Sequence, residues 1–130
     1  MKLSSHWLRM KGKIKPLMPS LREKKRYLAY EVISKYKFND AISVNKAILE
    51  AANEFLGNLG MSKAGLIPID DKWDEKQQRG IIRVNNKHVD DLRASLIFVK
   101  NIQGNQAIVK SVGASGILKK ANNKYLKIAQ

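Results

Sequence analysis

The 130-residue chain contains no cysteine, 3 prolines, 2 histidines and few acids, with 11 Asp+Glu against 25 Lys+Arg. Without cysteine there is no disulfide framework, no thiolate nucleophile and no Cys-ligated zinc, and an intracellular compartment is expected. No apolar run approaches the roughly 18–20 residues that cross a bilayer. Nor does a 7–15-residue apolar stretch follow the first basic residues, as a secretory signal requires. His6 and His88 are not spaced as a metal pair, and His88 reads as a surface histidine near a helix start. What is present fits one globular domain: 44% of residues are apolar, and the length suits a single core. The formal net charge of +14 selects polyanionic partners, nucleic acid first and an anionic membrane second.

That charge is concentrated at the two ends. Residues 1–26 carry nine Lys/Arg and one acid, and residues 110–130 carry five lysines and no acid. The stretch between them is nearly neutral, with eleven bases and ten acids. Solubilising charge would be interspersed in sign, so the asymmetry points to contact. Nineteen of the 25 bases are lysine. Lysine is a compact point charge suited to phosphates, whereas arginine is the better fork for base edges. Backbone contact rather than base reading is the expected mode.

Two segments are distinguished along the chain. Residues 1–19, with Pro16 and Pro19, read as a basic extension, and residues 20–130 as a single domain. Leu3, Trp7, Met10 and Ile14 fall at helical spacing. The extension is therefore open to three readings: a membrane-surface helix, an arm that orders on RNA, or a mobile tail. The aromatic and β-branched run Tyr27–Ile33 predicts a strand. Val44, Ile48, Ala51 and Phe55 line one face of a helix ending near Gly57 or Gly60. Leu66–Ile69 and Gly80–Val84 predict two more strands. Asn85 or Asn86 is positioned to cap a second helix, whose buried stripe is Val89, Leu92, Leu96 and Val99. Gln103–Asn105 turns into a fourth strand, Ala107–Val112. A Gly113–Gly116 loop then opens a basic C-terminal helix. The order β-α-β-β-α-β predicts an α+β, ferredoxin-like (split βαβ) fold, with four antiparallel strands and the helices on one face. Pro68 suits the second strand, which lies at a sheet edge in that arrangement.

Enzyme chemistry finds little support. Asp70, Asp71, Asp74 and Glu75 around Trp73 lack the spacing of a calcium loop and read as a solvated hairpin or a surface for a basic partner. Ser115 lies in Gly113-Ala-Ser-Gly116, which is not a nucleophile elbow, and no triad base accompanies it. The same loop, followed by Lys119 and Lys120, suits a phosphate at a helix N-terminus or merely reverses the chain. The third strand, Arg79-Gly80-Ile81-Ile82-Arg83-Val84, has aliphatics where a base-stacking RNA-recognition motif needs aromatics. Aliphatics such as Ile82 or Val84 are expected instead on a sheet face that docks a protein.

Three segments together resemble the archaeal and eukaryotic ribonuclease P protein component 2 family, the small subunit shared with RNase MRP. They are Leu21-Arg-Glu-Lys-Lys-Arg26-Tyr27-Leu28, Gly80-Ile-Ile-Arg83-Val84, and Val112-Gly113-Ala-Ser115-Gly116-Ile-Leu-Lys119-Lys120. Ile117 replaces the Thr common after the Ser-Gly step. The resemblance implies a subunit without an active site of its own. It braces ribonuclease P RNA, whose bound Mg²⁺ removes the 5′ leader of precursor tRNA, while the protein binds no cofactor or metal. It also implies a TIM-barrel-like partner, component 3, in a heterotetramer, and a cytoplasmic location (nucleolar or nuclear if eukaryotic). Expected RNA contacts are Arg22, Lys24, Lys25, Arg26, Arg83, Gly113, Ser115, Gly116, Lys119 and Lys120. A ribosomal or ribosome-assembly protein that binds rRNA is the alternative. A small-ligand regulatory domain is a third class, at odds with the basic ends.

Overall fold

The computed structural model describes residues 24–126. The basic extension and Arg22 lie outside the described residues. Five strands and three helices follow in order: β1 (Lys25–Ser34), α1 (Ile42–Ala64), β2 (Ile67–Asp74), β3 (Arg79–Asn85), α2 (Val89–Ser95), β4 (Asn101–Ile102), β5 (Asn105–Ser115) and α3 (Leu118–Ala121). Single 3₁₀ turns flank α2, and a π-helical turn, Asn122–Leu126, continues α3.

All strands pair antiparallel, in the order β2-β3-β1-β5-β4. Pro68 sits on edge strand β2, as its missing N–H requires. The expected four strands are five. Gln103 (φ 53°) and Gly104 (φ 80°) form a two-residue turn with both φ positive, which brings Asn101–Ile102 back onto Asn105–Gln106. A two-residue strand carries no periodicity that a sequence pattern could reveal.

Side chains alternate across the sheet. On one face Leu28, Tyr30 and Val32 of β1, with Ile82 and Val84 of β3, pack against Val44, Ile48 and Ala51 of α1 and Val89, Leu92, Leu96 and Val99. Ile82 and Val84 are therefore core residues beneath the helices, not the docking face expected for them. The other face holds Ala29 and Ile81, covered by Ala121 and Leu126 with Tyr125 and Leu118 beside them. Helices α1 and α2 share one face, as expected, and the appended C-terminal segment, whose place the sequence left open, closes the second face.

Helix α1 outruns its expected end. Asp40 Oδ1 accepts the Ile42 N–H (3.0 Å) at its start. Gly57 takes φ 73°, ψ 175° and breaks the axis, the helix resumes, and Gly65 ends it in the left-handed region. Phe55 is exposed rather than buried, its ring 5.4 Å from that of Phe98. Asn85 does not cap with its side chain. It is buried, donating Nδ2–H to the Lys63 carbonyl (2.7 Å) and accepting from Lys25 Nζ. The acidic run around Trp73 is only partly a loop, since β2 extends to Asp74. Trp73 Nε1–H donates to the Phe38 carbonyl (3.1 Å), and Asp70 accepts from Asn45.

Candidate nucleic-acid interface

Antiparallel pairing decides which charges meet. Tyr27, near the start of β1, lies opposite Arg83, near the end of β3, and opposite Ser115, the end of β5. Segments some 60 and 90 residues apart along the chain therefore converge at one end of the sheet. Lys24, Lys25 and Arg26 come from β1 and its lead, and Arg83 and Lys87 from the end of β3 and the turn after it. Lys63 joins them from the last turn of α1, held there through Asn85, while Lys119 and Lys120 follow β5. The opposite end carries Asp70, Asp71, Asp74 and Glu75 near the β2–β3 turn, mixed with Lys72 and Lys76.

The cations of this end are not equivalent. Lys25 donates to Asn85, so part of its donor capacity is used inside the protein. Arg26 Nη1 reaches Asn86 Oδ1 at 3.4 Å, a long, exposed contact. Arg83 makes no hydrogen bond or ion pair among the described residues, and its Nε is buried. The other arginine of β3 is committed: Arg79 Nη1–H donates to the Tyr125 carbonyl (2.9 Å), and its Nε lies 3.7 Å from Glu31. Lys24, Lys119 and Lys120 are exposed, as is Lys87. Arg83 and these lysines retain charge for an outside acceptor.

The Gly113–Gly116 loop is not a loop for most of its length. Gly113, Ala114 and Ser115 are the last residues of β5. A Cβ on Gly113 would stand 2.5 Å from the Tyr125 ring, so this glycine admits an aromatic side chain of its own chain rather than a phosphate. Ser115 Oγ accepts the Ile117 N–H and donates to the Ile117 carbonyl, both at 3.3 Å, which engages the hydroxyl locally. Gly116 is exposed, has nothing within 4 Å of its Cβ position, and needs no positive φ. Helix α3 spans four residues, too short to develop the terminal dipole expected of it. Lys119 and Lys120 thus act as exposed point charges beside the sheet end.

Lys63 and Lys87 were not among the expected contacts. The antiparallel strand order places the end of β3 beside the start of β1, and that was the available signal for Lys87. His88 Nδ1 lies 3.0 Å from Asp91 Oδ2, an i,i+3 pair in the first turn of α2, and Arg93 holds Asp90 at 2.9 Å. No group of three or more His, Asp or Glu among the described residues is arranged for a metal ion. The chemistry this end supports is electrostatic: several uncommitted cations gathered at one end of the sheet, an arrangement suited to a polyanion.

The family model of the Rpp14/Pop5 family matches residues 26–126. The chain belongs to the Rpp14/Pop5 family. Among its relatives, ribonuclease P protein component 2 of Thermococcus gammatolerans is 44% identical over 117 residues, covering 90% of this chain and 95% of the relative. The protein of the same name from Pyrococcus furiosus gives the same figures. That from Methanosarcina acetivorans is 34% identical over 114 residues, with 88% and 83% covered. A chain in a cryo-EM structure of yeast ribonuclease MRP shares the fold at a TM-score of 0.55 and 13% identity, covering 82% of this chain and 88% of that one. The matched span of this family member begins at Arg26, so it takes in Arg26, Arg83, Lys87, Lys119 and Lys120 of the basic end but not Lys24, Lys25 or the extension.

Proposed function

We propose that this chain is the component 2 subunit of ribonuclease P, and that it braces the catalytic RNA through phosphate contacts at the basic end of its sheet. The observation that carries the reading is the convergence of Lys24, Arg26, Arg83, Lys87, Lys119 and Lys120 from three distant segments, in a chain 44% identical to proteins of that name. Lysine-rich, mostly exposed charge suits backbone tracking. The subunit takes no part in bond cleavage, which falls to the RNA and its Mg²⁺; precursor tRNA is the particle's substrate. A TIM-barrel-like component 3 is the protein partner, in a heterotetramer, and the compartment is the cytoplasm. The four strands β2-β3-β1-β5 with α1 and α2 on one face make up a ferredoxin-like unit, to which the β4 hairpin is appended.

The test changes Lys24, Arg26, Lys119 and Lys120 together to Gln. Each phosphate contact contributes about 0.7–0.9 to the slope of log affinity against log salt, so the slope should flatten by about 3. Precursor-tRNA cleavage by the reconstituted particle should fall most at moderate Mg²⁺. An unchanged slope with full cleavage would refute the assignment.

A further inference from the structure

The edge of β5 offers a second, different recognition surface. Along its inner side β5 pairs with β1 from Ala107 to Ser115, but on its outer side β4 covers only Asn105 and Gln106. The last outer backbone contact is Ala107 N–H to the Lys100 carbonyl (2.9 Å). Register with β1 is regular from Ala107 to Ser111, so the N–H groups of Val109 and Ser111 point the same way as that of Ala107, outward. No described strand meets them. A groove of about 630 Å³ runs beside this edge, with Leu96, Ile97, Val99 and Val109 for its apolar walls. Ile97 and Ile108 are 75% and 62% exposed there. Long edges are ordinarily blunted by prolines, charges or a covering element, as Pro68, Asp70 and Asp71 blunt the opposite edge.

We propose that the outer edge of β5 accepts, as an added strand, an extended segment of a protein partner that carries alternating aliphatic and acidic side chains. The inference goes beyond the RNA-bracing reading and does not depend on it. Backbone N–H and C=O groups at strand spacing are matched by another peptide backbone, and the apolar walls take its alternate side chains. The acidic requirement follows from the groove's ionisable residues, which are Arg93, Lys100 and Lys110 and include no carboxylate. Arg93 pairs with Asp90 and Lys110 approaches Glu31 at 3.5 Å, yet the groove remains net positive. A second copy is disfavoured: antiparallel β5–β5 pairing centred on this stretch would set Lys110 against Lys110, and like charges directly opposite destabilise a pair. The chain's own residues 1–23 are strongly basic and would meet the same repulsion.

Amide hydrogen exchange on the full chain, without RNA, tests this. The probe is a capped ten-residue peptide of alternating valine and glutamate; controls replace glutamate with lysine or N-methylate alternate amides. The valine–glutamate peptide should slow exchange at Val109 and Ser111 at least tenfold, and both controls should fail. In a chain carrying Lys100→Glu and Lys110→Glu, the preference between the glutamate and lysine peptides should reverse. Failure of every peptide, or equal effects of the methylated one, would overturn the proposal. So would protection of the two amides without peptide, whether it rises with protein concentration (a second copy) or vanishes on deletion of residues 1–23 (the chain's own tail).

Discussion

Replacing Gly113 with Ala separates a packing role from a phosphate-admitting one. The new Cβ would lie 2.5 Å from Tyr125 Cε1 and Cζ and 2.6 Å from its hydroxyl, so the ring must move by about an ångström to reach ordinary contact. If only the ring shifts, the cost is that of overpacking, about 1–3 kcal/mol. If the whole C-terminal segment lifts, the sheet loses the buried Leu126, worth about 1.5–3 kcal/mol, and the Arg79–Tyr125 carbonyl hydrogen bond, worth about 1.5 kcal/mol or more. The expected destabilisation is therefore about 1–3 kcal/mol if the ring alone shifts and about 3–4.5 kcal/mol on release. Urea denaturation measures it, and amide exchange at Ala121 tells displacement from release. The decisive comparison is with Tyr125→Ala: in that background Gly113→Ala should be neutral or slightly stabilising, since the clash is gone and Gly is a poor strand residue. Additive losses, or a neutral single variant, would refute the reasoning. Gly116→Ala has no such neighbour and should leave stability within about 0.5 kcal/mol.

Two further outcomes test the buried polar groups. Tyr30→Phe removes the hydroxyl that donates to Asn45 Oδ1 at 2.6 Å and should cost about 1–2 kcal/mol. Burial, with the nearby Asp70 charge adding to it, pushes the Tyr30 phenol well above its usual value, while in the unfolded chain it titrates near 10. Its contribution is thus intact below about pH 10 and is lost as pH rises beyond, so native stability should fall more steeply there than that of Tyr30→Phe; parallel curves would contradict this. Asn85→Ala strands the Lys63 carbonyl and removes one acceptor of the Lys25 ammonium, and should cost about 2 kcal/mol by thermal or urea denaturation. A loss under 0.5 kcal/mol would show that the bridge between α1 and β1 is dispensable.

Periodic elements were legible, and contacts between distant residues were not. Val89, Leu92, Leu96 and Val99 are all buried as their spacing requires, even though the chain passes from α-helix to 3₁₀ turn among them. The stripe of α1 fails only at Phe55, where burial depends on what lies opposite rather than on spacing. Gly113 misleads a local reading because small residues near Ser-Gly look like a turn; the cause of the glycine is a ring twelve residues further on. The gathering of basic ends follows from strand order, whereas the difference between committed Arg79 and uncommitted Arg83 rests on Tyr125 and Glu31 and has no local signature.

Both faces of the sheet are occupied near its centre, one by α1 and α2 and the other by Tyr125 and Leu126, so recognition is left to an end and an edge. Strand β5 contributes to both, with its outer groove around Val109–Ser111 and its C-terminal residue at the basic end. Four residues separate Ser111 from Ser115, on the order of 13 Å of extended chain. That exceeds the Debye length at physiological salt, about 8 Å, so charges exposed at one site act weakly at the other. Reversing Lys100 and Lys110 should therefore leave the salt slope of RNA binding unchanged, and neutralising Lys119 and Lys120 should leave peptide binding at the edge unchanged. Loss of both activities from either variant would mean that the two surfaces are one polyanion site, with the groove merely its continuation.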